Sequence, residues 1–249
     1  MRFGSAVYAI ACLVVPCATR AQAHPGMDMG TPGHAAHDAM AGKMSESAHM
    51  RMTPIRPPTE ADSVRAMALA DTLRRVLARY ADPADAERDG YKLFLPKLKN
   101  QKVYHYTNWG NALGEAFRFN PSKPTSVLYK KGPDGRMQMI GAMYTMPKNA
   151  SEADLDKRVP LSVASWHLHT NLCAPKKGED KRYLELQNGM PRFGLAGSIA
   201  TKAECEAADG VFHDVIFGWM VHANVFEGTD LESIWGHGED MEHSGHKGS

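Results

Sequence analysis

The sequence predicts an α+β domain in which N-terminal helices pack on a largely antiparallel sheet. Three observations predict it. Apolar residues recur at helical spacing early in the chain, they alternate with polar ones further on, and strong turn signals separate the alternating runs.

An export signal stands in front of the domain. Arg2 is followed by an apolar run over 6–15 and by Ala21-Gln22-Ala23, the three parts of a secretory signal peptide. The run is about ten residues, against the roughly twenty that a bilayer span requires. Pro16 argues against lipid modification of Cys17. Cleavage after Ala23 divides the chain into a signal peptide (1–23), an unstructured Met/His-rich tail (24–58), a single α+β domain (59–236) and a His-rich tail (237–249). A periplasmic or secreted location is therefore expected. Lys and Arg number 29 against 28 Asp and Glu, so neither nucleic acid nor an anionic membrane surface is implied as a partner. No second apolar stretch of spanning length follows.

In the domain, Thr59 or Asp62 can cap a first helix in which Val64, Met67, Ala68, Leu69, Leu73, Val76, Leu77 and Tyr80 recur at helical spacing. Asp82-Pro83 ends it and starts a second helix reaching about Tyr91. Strands are predicted over 103–109 and 125–131. Gly132-Pro133-Asp134-Gly135 turns the chain into a returning strand over 136–146. A further strand covers 161–173. Ser198 caps a short helix running to about Ala208, and the last strand covers 217–227. A cystatin-like wrapping of the sheet is compatible with this order, which leaves strand neighbours open.

Cys12 and Cys17 leave with the signal peptide. Cys173 and Cys205 remain and are expected to form a disulfide in an oxidising compartment; the competing role for Cys173 is a soft metal ligand.

The sharpest functional signal comes from strand parity. Ala164, Trp166, Leu168 and Leu172 fall on one face of their strand, and His167, His169 and Asn171 on the other. Trp219, Val221, Ala223 and Val225 share a face, opposite Met220, His222 and Asn224. If these strands are neighbours, His167, His169 and His222 converge, with His105 as a fourth member. Three neutral imidazoles suit zinc, copper, iron or nickel, and their ring nitrogens are expected to approach a common point. The alternative is a polar sheet face bonded to neighbours and water. Asn171 and Asn224 can orient ligands or simply end strands, and Tyr104, Tyr106, Trp109 and Trp166 read as core or rim aromatics. His213 reads as a solvated loop residue. Met137, Met139 and Met143 fall on one side of their strand, as core filler or as a soft lining near the histidines.

The tails add a second signal. His24, Met27, Met29, His34, His37, Met40, Met44, His49, Met50 and Met52 crowd the first, and His237, Met241, His243 and His246 the second. Mixed imidazole and thioether ligands point to copper. A histidine brace at His24 would need a rigid N-terminus, which Pro25-Gly26 does not favour. Serine-hydrolase, phosphate-loop and dinucleotide motifs are absent. Glu115 and Glu227 are the nearest acidic candidates, without distinguishing context.

Asp89-Gly90-Tyr91, His105-Tyr106-Thr107-Asn108, Lys123-Pro124 leading to Leu128-Tyr129, Asp134-Gly135, Trp166-His167-Leu168-His169 and Met220-Val221-His222 carry a resemblance over about 80–236. In these motifs the chain resembles a family of exported bacterial proteins of no established activity, and it departs from that pattern in its Met/His tails. The functional expectation is a periplasmic metal-binding protein, copper preferred and zinc the alternative, with a core site and metal-capturing tails. The competing classes are a metal-dependent enzyme using the same histidines and a metal-free module that binds a small molecule. The expected partner is a metal ion.

Overall fold

The computed structural model describes residues 48–96 and 101–236. The expected signal peptide (1–23), most of the expected first tail and all of the expected second (237–249) lie outside the described residues. Strand β1 (Met50–Met52) leads into helix α1 (Glu60–Leu77), a 3-10 turn (Ala78–Tyr80), helix α2 (Pro83–Arg88), β2 (Lys92–Leu93) and β3 (Tyr104–Thr107). Helix α3 (Trp109–Phe117), β4 (Ser126–Lys131), β5 (Met137–Met146), helix α4 (Glu152–Arg158) and β6 (His167–Ala174) follow. The small hairpin β7 (Leu186–Gln187) and β8 (Met190–Pro191), helix α5 (Lys202–Ala207), β9 (Val211–Ala223) and helix α6 (Leu231–Trp235) complete the domain.

Seven strands form one antiparallel sheet in the order β1-β6-β9-β5-β4-β3-β2. The α+β class holds. Thr59 caps α1 by accepting from the Asp62 N–H. Ala66, Leu69, Ala70, Leu73 and Leu77 then line one side of α1 and are buried against the sheet. Trp166, Leu168, Trp219, Val221, Ala142, Tyr144, Val127 and Tyr129 meet them from the strands. Leu155 of α4 and Ile234 and Trp235 of α6 join the same core. All four of these helix and strand groups therefore use one face of the sheet.

Several boundaries differ from expectation, each for a local reason. The strand expected to run to Trp109 stops at Thr107, because the Asn108 side chain accepts from the Asn111 N–H and starts α3. The strand expected from Leu161 starts at His167. Pro160 O takes the Val163 and Ala164 N–H groups, and Asp156 takes that of Leu161, so 161–164 is a turn. Thr201, with a reciprocal bond from Glu204, caps α5 in place of Ser198. The last strand runs Val211–Ala223, and helices α3, α4 and α6 were not anticipated.

The boundary at 58 also requires correction. Residues 50–52 are not tail but an edge strand, pairing Met50 with His169, Arg51 with Leu168 and Met52 with His167. The Thr53 N–H donates to Trp166 O at 2.8 Å, and its hydroxyl accepts from the Trp166 N–H at 3.0 Å. The Arg51 guanidinium lies 5.1 Å from the centre of the Trp219 ring. His49 is buried, with Nδ1 3.1 Å from Asn171 O and Nε2 2.7 Å from Gly197 O. Composition undervalued this segment because β1 borrows its hydrogen bonds and apolar cover from β6.

Two irregularities shape the sheet. Leu128 pairs with Gly141 but Tyr129 pairs with Met139, which leaves Ile140 as an extra residue in β5. His167 pairs with Met220 but His169 with Ile216, so β9 carries extra residues at Phe217 and Gly218, and Phe217 has φ +62°. Gly141 and Gly218 bound the β5–β9 ladder at its two ends. A Cβ on Gly141 would collide with Ala223 O, and one on Gly218 with Met146 O.

Cys173 and Cys205 form a disulfide, with Cα atoms 5.6 Å apart. It joins β6 to α5 and sits in a small satellite core with Phe193, Ile199 and Ala208.

Two predictions follow from these links. Removing residues 24–58 should lower stability by about 3–5 kcal/mol more than removing 24–47 does, from one buried methionine and a few buried hydrogen bonds. Urea denaturation of the two truncations checks this, and equal loss in both would show that β1 contributes nothing. Replacing Cys173 and Cys205 together with Ser should cost roughly 3–4 kcal/mol by the chain-entropy argument for a loop of this length. Denaturant curves with and without reductant measure it.

Candidate functional site

The face of the sheet opposite the helices carries the histidines. Apolar side chains on β6 and β9 must meet α1, so period-two alternation turns His167, His169, Met220 and His222 the other way. The intervening bulge in β9 leaves this intact: Ile216 and Met220 both pair with histidines, while Val215 and Trp219 pack on the helix side.

The structure brings His105, His167, His169 and His222 together in a file of ring contacts. His105 and His222 have centroids 5.5 Å apart, His222 and His167 5.2 Å, and His167 and His169 5.5 Å. The planes are tilted by 50°, 73° and 81° respectively. His105 reaches His222 across two strands, over the row where Gly141 stands opposite Leu128. His167 is 0 % exposed, and the other three are partly exposed. Among the described residues, no group of three or more His, Cys, Asp or Glu side chains stands arranged to hold a metal ion. The ring contacts run in series from His105 through His222 and His167 to His169.

Methionines border this line. Met52 stands opposite His167 and Met50 opposite His169 on one side. Met220 stands opposite His167, and Met143 opposite His222, on the other. Met143 and Met220 are buried in a small cluster with Leu128 and Ile140, against which Val103 packs.

The expectation that Met137, Met139 and Met143 share a side is overturned. The extra residue Ile140 inverts parity between Met139 and Met143. Met137 and Met139 pack on the helix side, and only Met143 faces the histidines.

Other candidates separate from the site. Cys173 is consumed in the disulfide. His213 lies exposed in β9 opposite Leu172 and is not in a loop. Asn171, at φ +54°, donates from Nδ2 to Ala48 O at 2.6 Å and so holds the start of β1. Asn224 is buried and ends β9, its N–H donating to Ile234 O. Trp109 is 62 % exposed on the first turn of α3, a rim aromatic 6.4 Å from the Phe94 ring. Trp166 and Tyr106 are core. His24, Met27, Met29, His34, His37, His243 and His246 lie outside the described residues.

Glu227 forms an ion pair with Lys130 at 3.0 Å. Glu115 is different: it is 2 % exposed, on α3. Its Oε2 accepts from the Thr125 hydroxyl at 2.6 Å and the Thr145 N–H at 2.7 Å. The β4–β5 ladder ends at Ser126–Met143, so this carboxyl takes the place of a β4 partner for Thr145, which pairs with Met220 of β9 on its other side. Its Oε1 is buried without a hydrogen-bond partner. Burial pushes the carboxyl up to about 7, against the lowering effect of the Thr125 and Thr145 bonds and of Arg158. Nothing in the local sequence of Glu115 announces this, because its partners lie ten and thirty residues away.

A folded-state value near 7 against the ordinary 4.5 means that the native state binds the extra proton between those pH values. Stability is then highest below about pH 4.5 on this account and falls as pH rises to 7, by on the order of 3 kcal/mol. Glu115→Gln keeps an acceptor oxygen and removes the titration. Urea melts at pH 5 and pH 7.5 should show wild type losing stability relative to the variant across that interval. Parallel pH profiles would overturn the assignment.

No family model, curated protein or solved structure matches the chain.

Proposed function

We propose that the chain is an exported metal-binding protein whose core site is the His105–His222–His167–His169 file, with copper preferred over zinc and the Met/His-rich tails capturing the same metal. The observation that carries the reading is the ring spacing. Two imidazoles bound to one ion at about 2.0–2.1 Å, with an angle of roughly 110–120° at the metal, have centroids about 5.2–5.5 Å apart. The three neighbouring pairs have separations of 5.2–5.5 Å. Edge-to-face packing of metal-free rings spans the same range, but it does not account for four titratable rings lined up on one face, one of them fully buried. Small rotations about the side-chain torsions would turn a neighbouring pair onto one ion, with a third ring close enough to follow. The periplasmic location rests on the signal-peptide features, and it agrees with the Cys173–Cys205 disulfide.

A metal that binds the native state and not the unfolded one raises the melting temperature. Metal held by residues outside the folded domain binds both states alike and leaves it unmoved. The full exported chain titrated with Cu(I) under anaerobic conditions, and separately with Zn(II), should melt at higher temperature. His167→Ala and His222→Ala should abolish that rise and weaken the core affinity by 10–100-fold or more, while His213→Ala should change neither. A melting temperature unaffected by metal, or equal shifts in wild type and His167→Ala, would refute the core site.

A further inference from the structure

We infer that the core site is built for Cu(I), with the thioethers of Met143 and Met220 completing a ligand set begun by His167 and His222. This rests on the metal-binding reading above and names the oxidation state and two further ligands. The argument is one of register. Met220 is the cross-strand partner of His167, and Met143 that of His222. Directly opposed residues bring their Cβ atoms within about 4.5–5.5 Å. Met220 and His222 share one face of β9 two residues apart, and the His167 and His222 rings are 5.2 Å apart. The four side chains are thus the corners of one patch across β5, β9 and β6. Met143 and Met220 are both buried and belong to one contact cluster, so both side chains are shielded from competing water.

Thioether sulfur is a soft ligand that favours Cu(I) and has little affinity for Zn(II), whereas imidazole serves both. A zinc site has no use for methionine at these two positions. Strand β1 extends the pattern, with Met52 beside His167 and Met50 beside His169. The edge strand that leads back toward the Met/His-rich segment therefore lays two more thioethers along the same file.

Met143→Leu and Met220→Leu, singly and together, keep the volume and apolar character of the side chains, so the fold should survive; circular dichroism and the melting temperature check that it does. The probe is Cu(I) in competition with a bathocuproine chelator, which strips weaker sites, set beside Zn(II) in competition with a chromophoric chelator. Loss of a direct ligand should cost at least the 10–100-fold loss typical of an outer-shell partner. The double variant should therefore lose that factor in Cu(I) affinity while its Zn(II) affinity stays the same. In methyl-labelled protein, the Met143 and Met220 methyl resonances, assigned from the single variants, should shift on adding one equivalent of Cu(I). If the double variant binds Cu(I) as tightly as wild type and these resonances stay put, the methionines are packing residues and the inference falls. The histidine site survives that outcome, provided His167→Ala still abolishes binding. If wild type binds neither ion in the core, both readings fall together.

Discussion

Everything on the histidine face of the sheet follows from what is buried on the other one. Trp166, Leu168, Trp219 and Val221 are 0–7 % exposed because they meet α1 and its neighbouring helices. Truncating a buried aromatic of that size costs about 3–5 kcal/mol. A one-residue slip in either strand would turn these groups to the far face and bring the histidines into the core. The register is thus set by apolar burial, and the histidine file is its by-product. The side chains that stabilise the fold and those that could carry chemistry are different residues on the same two strands.

This division explains what could be read from the sequence. Alternation in Trp166-His167-Leu168-His169 and Trp219-Met220-Val221-His222 is local information, and it placed both faces correctly. That β6 and β9 are neighbours is not local: His167 and its partner Met220 are 53 positions apart (220 − 167). His105 was a weaker candidate because its position opposite Leu128 depends on two further ladders. The methionine face was misread for a related reason. A bulge leaves little mark on composition, yet the single extra residue Ile140 reverses the facing of everything before it. The edge strand was missed because Met50-Arg51-Met52 has no strand character of its own. It is a strand only while β6 supplies the hydrogen bonds, Trp219 receives Arg51, and Asn171 and Gly197 bracket His49.

Glu115 illustrates how a sheet manages an unfinished ladder. The β4 strand stops pairing at Ser126, and the Thr145 N–H would otherwise be buried without an acceptor. Leaving it so would cost about 1–3 kcal/mol. A carboxyl from α3 fills the gap, and the helix exists there because Asn108 ends β3 and caps it. The solution brings its own penalty, since a charged carboxylate is disfavoured at this depth and the group holds its proton to about pH 7. The neutral acid still accepts the Thr125 and Thr145 bonds. A structural need is met by a titratable group, which is why a perturbed carboxyl outside the histidine file does not by itself mark a catalytic centre.

A site spread across strands differs in kind from one grafted onto a loop. Its backbone positions are fixed by ladder hydrogen bonds at intervals of about 4.7–4.9 Å between strands and about 3.4 Å along them, so adjustment to an ion would come from the side chains. Such a face presents its donors in rows, and His105, His222, His167 and His169 make ring contacts in series across it. The bordering methionines bear on the same point. Each thioether is a weak ligand that can be gained or lost without charge change, and Met50 and Met52 extend the series along the edge strand. A core site on this face would draw on side-chain rotation, and not on movement of the backbone, to bring His167, His222, Met143 and Met220 onto one ion.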